Sequence, residues 1–152
     1  MVALGNPLLG DDGAGWRVAE TLQTLHPAAD FDIEFLAEGG LSIMERIAGY
    51  QRAIIIDALQ TGQFPDGHIT TFSLDELPNP FAGHLGSTHE TSLLTALEAG
   101  RTLGIRLPDQ ITIVAIEAHN LFEFSEQLSP VVAAAIEPAA LLVFNLIKKS
   151  AR

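Results

Sequence analysis

The groups in this 152-residue chain that can do chemistry are carboxylates and imidazoles, because it contains no cysteine. Two carboxylates stand where apolar runs break off. Asp12 lies in the glycine-rich stretch Gly5-Asn6-Pro7-Leu8-Leu9-Gly10-Asp11-Asp12-Gly13, just after the short run Val2 to Leu4. Asp57 follows three isoleucines, Ile54 to Ile56. A carboxylate at the end of a buried strand is costly unless it is paired, hydrogen-bonded or metal-bound. A turn or cap acceptor is one solution. Two such groups brought together want a cation between them, or one shared proton. Acids in a first helical turn also serve simply as dipole partners, which applies to both Asp11 and Asp12. The glycines of this stretch could cradle a phosphate, but adjacent carboxylates would repel it. The G-x-G-x-x-G spacing and a following Lys-Ser/Thr pair are also missing, which disfavours a nucleotide site.

The five histidines are His26, His68, His84, His89 and His119. His89 opens a predicted helix, and His84, five residues earlier, competes with it. His119 follows the last predicted strand and could reach the same end of the sheet. No H-E-x-x-H helix and no G-x-S-x-G elbow is present, so zincin and α/β-hydrolase chemistry is disfavoured.

The elements that must position these groups follow from periodicity. Val18, Ala19, Leu22 and Leu25 predict a helix over about 14–25, and Ile43, Met44 and Ile47 a shorter one over 41–48. Alternation predicts strands over 31–35 and 67–74, while Ala53-Ile54-Ile55-Ile56 and Ile111 to Ile116 read as strands covered on both faces. A helix is expected from Thr88 to about Leu103, and another after Ser129-Pro130, an N-cap followed by proline at the first helical position. This alternation predicts one domain over 1–152, an α/β three-layer sandwich with a twisted, mixed five-stranded sheet flanked by helices. The strands around residues 54 and 70 are expected to form its antiparallel pair. Ligands in such sheets bind beyond the carboxyl ends of the strands, at the switch point, which selects the segments after Leu4, Ile56 and Ile116.

Composition narrows the partners. Eight basic residues against nineteen acidic ones give −11, which disfavours nucleic acid and a polybasic membrane anchor. Between Ala53 and Gly100 there is no Lys or Arg, but there are Asp57, Asp66, Asp75, Glu76, Glu90 and Glu98. A solvated acidic surface explains that segment, and so does a face for a cation or basic partner. The apolar run from Val131 to Ile147 holds Glu137 and Pro138 and reads as a buried helix rather than a membrane span. The start of the chain lacks the charged n-region and long apolar h-region of a signal peptide. A cytoplasmic monomer, with neither membrane nor nucleic acid as partner, is the expectation.

Taken in order, several motifs resemble the hydrogenase maturation proteases: Gly5 to Gly13, Glu38 before Gly39-Gly40, Ile55-Ile56-Asp57-Ala58, His89 opening a helix, and Leu128-Ser129-Pro130. The resemblance covers nearly the whole chain. It implies a twisted five-stranded sheet between helices. The implied activity is removal of a C-terminal extension from the large-subunit precursor of a nickel–iron hydrogenase once nickel is inserted. It also implies that Asp12, Asp57 and His89 take the positions of the family's metal-contacting acid, aspartate and histidine, the first being Glu in many members. Two departures stand out: the first strand is short, and the segment Glu117 to Leu128, with His119, Phe122 and Phe124, lacks a Glu-Pro pair. That segment could act as a substrate-specificity loop.

Two carboxylates and an imidazole form an open oxygen/nitrogen set suited to nickel or zinc. On this expectation the nickel arrives on the precursor's thiolates and no organic cofactor takes part. Cleavage then needs a water activated by the metal, or by Asp12 or Asp57 as general base. Asp11, Glu38 and His119 are candidates for supporting these groups. The competing expectation is a non-catalytic nickel-binding or maturation chaperone module using the same acidic pocket.

Overall fold

The computed structural model describes residues 1–27, 31–37, 39–76 and 88–150, and for 76, 88–92 and 150 the backbone alone. Its strands are β1 (Val2–Leu4), β2 (Glu34–Leu36), β3 (Arg52–Leu59), β4 (Ile69–Ser73) and β5 (Gln110–Glu117). Its helices are α1 (Ala14–Leu25), α2 (Leu41–Ile47), α3 (Thr88–Thr102) and α4 (Pro130–Ser150). The strands form one sheet in the order β2-β1-β3-β5-β4, with all pairs parallel except β4 with β5.

The two isoleucine-rich strands lie side by side at the centre, in register from Arg52–Gln110 to Leu59–Glu117. Alternate residues feed two separate cores. Ile55 and Leu59 join Ile111, Ile113 and Ala115 under α2 and α3, which add Ile43, Met44, Leu93 and Leu97. Ile54, Ile56 and Ala58 join Val114 and Ile116 under α1 and α4, which add Val18, Leu22, Val132, Ala139 and Val143. The result is the three-layer α/β sandwich with a mixed five-stranded sheet.

One pairing differs from the expectation. β4 does not pair with β3; it lies antiparallel on the far side of β5, from Ile69–Ile116 to Ser73–Thr112. Burying an isoleucine side chain contributes about 1.5–3 kcal/mol, so the doubly apolar β3 and β5 take the interior of the sheet. β4 carries the half-buried Thr70 and the exposed Thr71, and it loses little at an edge. β2 is also shorter than its alternation suggests. β1 offers it only three partners, Val2, Ala3 and Leu4, opposite Glu34, Phe35 and Leu36.

α4 starts at Pro130 as expected, and by length and composition it could cross a membrane. Here its Val132, Ala135, Ile136, Ala139 and Val143 stripe is buried against α1 and the sheet. Its start is not held by a serine cap. The Ser129 carbonyl accepts from Ala133 N–H at 2.8 Å, but the Ser129 hydroxyl is buried with no hydrogen-bond partner among the described residues.

Two glycines bring α1 onto the strand ends. A Cβ on Gly15 would lie 2.4 Å from the carbonyl oxygen of Leu4 and 2.7 Å from that of Ile56, so only hydrogen fits. Gly5 has φ +121°, and a Cβ there would sit 1.8 Å from the Asp12 carbonyl oxygen. The β2 end is tied in by Gly5 N–H to the Leu36 carbonyl at 3.0 Å and by the Trp16 indole to the same oxygen at 3.3 Å. Replacing Gly15 with alanine is expected to destabilise the fold by at least about 1–3 kcal/mol, the usual range for overpacking. Denaturant unfolding of the variant measures this; unchanged stability would show that α1 can ride outward freely.

Candidate functional site

In the strand order, β1 sends its chain through α1 to β2 on one side, and the chain then crosses through α2 to β3 on the other. The switch point therefore lies between β1 and β3, where the crevice rule places ligands. Asp12 and Asp57 both belong to this point. The β1–β3 ladder covers Val2–Ile55 and Ala3–Ile56, so Asp57 lies one position past it. Asp57 is not at the end of its strand, as the isoleucine run suggested. β3 continues to Leu59, with Asp57 still paired to Ala115 of β5. It is 7% exposed, and its Oδ1 accepts from Ala58 N–H at 2.9 Å.

Asp12 sits in a single 3-10 turn, Gly10–Gly13, that joins the Gly-Asn turn to α1 and packs on β3. Its Oδ2 accepts from Asn6 N–H at 2.7 Å, which the Gly5 conformation makes possible. Asn6 is itself held by its own side chain, whose Oδ1 accepts from Leu8 N–H at 3.0 Å. The turn thus delivers a half-buried carboxylate to the carboxyl ends of β1 and β3.

Asp57 has the same parity as Ile55 and Leu59, which face α2 and α3. α3 ends at Thr102 and feeds the amino end of β5, so its first turn lies toward the carboxyl ends of the strands. His89 is the second residue of that helix. Backbone topology therefore puts His89 at the same end and on the same face as Asp57, and its side chain lies outside the described residues. Among the described side chains, no group of three His, Asp or Glu is gathered to hold a metal. Glu38 and His84 also lie outside the described residues.

The remaining candidates have other work. Asp11 is completely buried, and its Oδ1 accepts from Ser129 N–H at 2.6 Å, tying the start of α4 to the Asp12 turn. Its Oδ2 has no hydrogen-bond partner among the described residues. His119 lies past the carboxyl end of β5, at the same end of the sheet, where its Nδ1 pairs with Asp66 in the segment before β4 rather than with Asp12 or Asp57. His26 stacks on Phe144 with ring centroids 3.4 Å apart, and His68 on Phe64 at 4.3 Å.

Glu117 was not among the candidates, although the signal that selects Asp57 selects it too: a carboxylate closing a β-branched run. It is 3% exposed and accepts from Thr61 N–H at 2.8 Å, the Thr61 hydroxyl at 2.6 Å and Gly62 N–H at 2.8 Å. These bonds pin the segment after β3 across the end of β5. Glu117 is a structural acceptor. A cavity of about 280 Å³ is lined by Met1, Phe31, Asp32, Tyr50 and Arg52 at the opposite, amino-terminal edge, away from Asp12 and Asp57.

Two outcomes test this assignment of roles. Replacing Asp11 with alanine leaves the Ser129 N–H without its acceptor and is expected to cost about 1–3 kcal/mol in denaturant unfolding. The Asp66 hydrogen bond, and then its charge, raises the His119 pKa above its ordinary value. A raised folded-state pKa means the pair stabilises fully below about pH 6.5 and loses that contribution as pH rises through the folded value. An NMR titration of His119 should therefore move down on Asp66→Asn; an unmoved midpoint would refute the pairing.

Comparison with known proteins agrees with this fold. The family model described as hydrogenase maturation protease matches residues 16–146. The chain is 30% identical to the hydrogenase 2 maturation protease of Escherichia coli over 152 residues, covering 99% of this chain and 90% of that one. With the hydrogenase expression/formation protein HupD of Thiocapsa roseopersicina it is 26% identical, covering 91% of this chain and 62% of the relative, so it spans less than two thirds of that protein. The solved structure of the hydrogenase maturating endopeptidase HybD from E. coli superposes with a TM-score of 0.78 at 28% identity, over 98% of this chain and 91% of that one. The chain belongs to the hydrogenase maturation protease family.

Proposed function

We propose that this chain, an endopeptidase by family, removes the C-terminal extension of a nickel-loaded precursor of a nickel–iron hydrogenase large subunit. The observation that carries the reading is the placement of Asp12 and Asp57 at the β1–β3 switch point, with the start of α3 at the same end. Nickel is part of the substrate, held by the precursor's thiolates. Asp12, Asp57 and His89 add oxygen and nitrogen ligands to it, and so they bind the loaded precursor better than the empty one. Discrimination of that kind is a difference of affinities, which is what a protease acting only after metal insertion requires.

In the cleavage step, water adds to the scissile carbonyl, the C–N bond breaks and the new amine takes a proton. Nickel supplies Lewis acidity, and Asp12 or Asp57 takes the proton from the attacking water. The Asn6 N–H on Asp12 Oδ2 and the Ala58 N–H on Asp57 Oδ1 help to orient each carboxylate. The reading implies a cytoplasmic reaction, because thiolates stay reduced there, and a monomeric enzyme.

Incubating the chain with a nickel-loaded precursor and weighing the large subunit tests the reading. Loss of a C-terminal peptide is the expected result; binding with no mass change would instead support a maturation chaperone. Asp57→Asn is expected to lower processing by about 10²–10⁴-fold, the usual contribution of a positioned base. A folded variant that cleaves at the wild-type rate would remove Asp57 from the mechanism.

A further inference from the structure

The loop between β5 and α4 presents two phenylalanines almost entirely to solvent, Phe122 at 81% and Phe124 at 83% exposure. Their neighbours hold the loop in place. Leu121 is buried and Leu128 packs against the same core under α1 and α4. The backbone is stitched to the Asp12 turn by Gly10 N–H to the Ser125 carbonyl at 2.7 Å, Asp11 N–H to the Asn120 carbonyl at 3.0 Å and Ser125 N–H to the Leu8 carbonyl at 3.0 Å. A parallel bridge joins Leu9 to Ser125. Leu8, on the turn side of this seam, is itself 43% exposed. A tethered loop cannot tuck its rings away by local collapse. Exposed apolar clusters with a polar rim mark interaction surfaces.

We propose that Phe122 and Phe124, together with Leu8, are the docking residues for an apolar segment of the precursor polypeptide, flanked by basic side chains, as it enters the Asp12 and Asp57 site. The inference rests on the processing activity proposed above. Position argues for this occupant: the seam joins the aromatic loop directly to the turn that carries Asp12, so the loop that bears the rings borders the carboxylate's turn. Charge argues for the basic flanks. Glu123 and Glu126 punctuate the loop, and no Lys or Arg occurs between Arg106 and Lys148. The nearby Arg17 is engaged with Glu20 Oε2 at 3.0 Å and the Glu126 carbonyl at 3.4 Å.

The test compares the wild type, Phe122→Ser/Phe124→Ser and Asp57→Asn, each as the full chain, on nickel-loaded precursor. The double variant should keep its thermal midpoint and its kcat within about twofold. Its KM should rise by about tenfold for each ring lost, equivalent to about 1.4 kcal/mol per ring. Binding of the precursor to the non-cleaving Asp57→Asn chain should weaken by the same factor when the two serines are added, and should weaken further at high salt. An unchanged KM and unchanged binding overturn the proposal while leaving the processing activity intact. If the wild type does not cleave, the processing reading fails, and the binding comparison still decides whether the rings dock the precursor. A wild type that sizes as a dimer and is made monomeric by the serine pair would assign the rings to a second copy of this chain and overturn the proposal.

Discussion

Backbone of α1 meets backbone of β1 and β3 at Gly15, where the helix rests on the Leu4 and Ile56 carbonyls at a distance that leaves no room for a methyl group. Everything at the carboxyl edge depends on that approach. It sets the height of the 3-10 turn above the sheet, and so the position of Asp12 relative to the first residue of β3 beyond the β1 ladder. It also fixes the closeness of α1 to α4, since Val18 and Leu22 share a core with Val132 and Val143. A larger residue would lift the helix, and the carboxylate would rise with it. The packing constraint and the chemistry thus share one contact.

Four carboxylates crowd the same end of the sheet, and their bonding separates their roles. Glu117 accepts three hydrogen bonds and holds a crossing segment, and Asp11 is wholly buried on the backbone of Ser129. Both act as pins between distant parts of the chain, the first joining residues 56 positions apart and the second 118. Asp12 and Asp57 instead accept from the backbone of their own turn or strand, Asn6 and Ala58. These local bonds orient the two carboxylates at the carboxyl ends of β1 and β3.

The sequence made the strands, the helices and the switch-point residues legible, because apolar period and turn glycines are local signals. What it hid were features set by contacts far along the chain. Two strands adjacent in sequence look like a hairpin, yet residues 60–68 pass across the end of β5 under the grip of Glu117, and β5 ends up between them. Asp11 and Asp12 are identical neighbours in the chain, but successive residues of a 3-10 turn point about 120° apart. One therefore faces the interior and the other the strand ends. The partners of His26 and His119, Phe144 and Asp66, are equally remote in sequence.

A chain without cysteine is poorly equipped to hold nickel tightly by itself, and on the proposed reading this is useful. Thiolates are the soft, high-affinity ligands, whereas carboxylate and imidazole are harder and weaker alone. An enzyme that owned the strong ligands would compete with its substrate for the metal. One that contributes only two carboxylates and an imidazole gains appreciable binding only when the partner already carries the ion. The acidity of the edge acts in the same direction: on that reading a loaded precursor brings positive charge to the end of the sheet that carries Asp12 and Asp57, and an empty one does not. Selectivity for the loaded state then follows from which ligands this chain lacks as much as from those it presents.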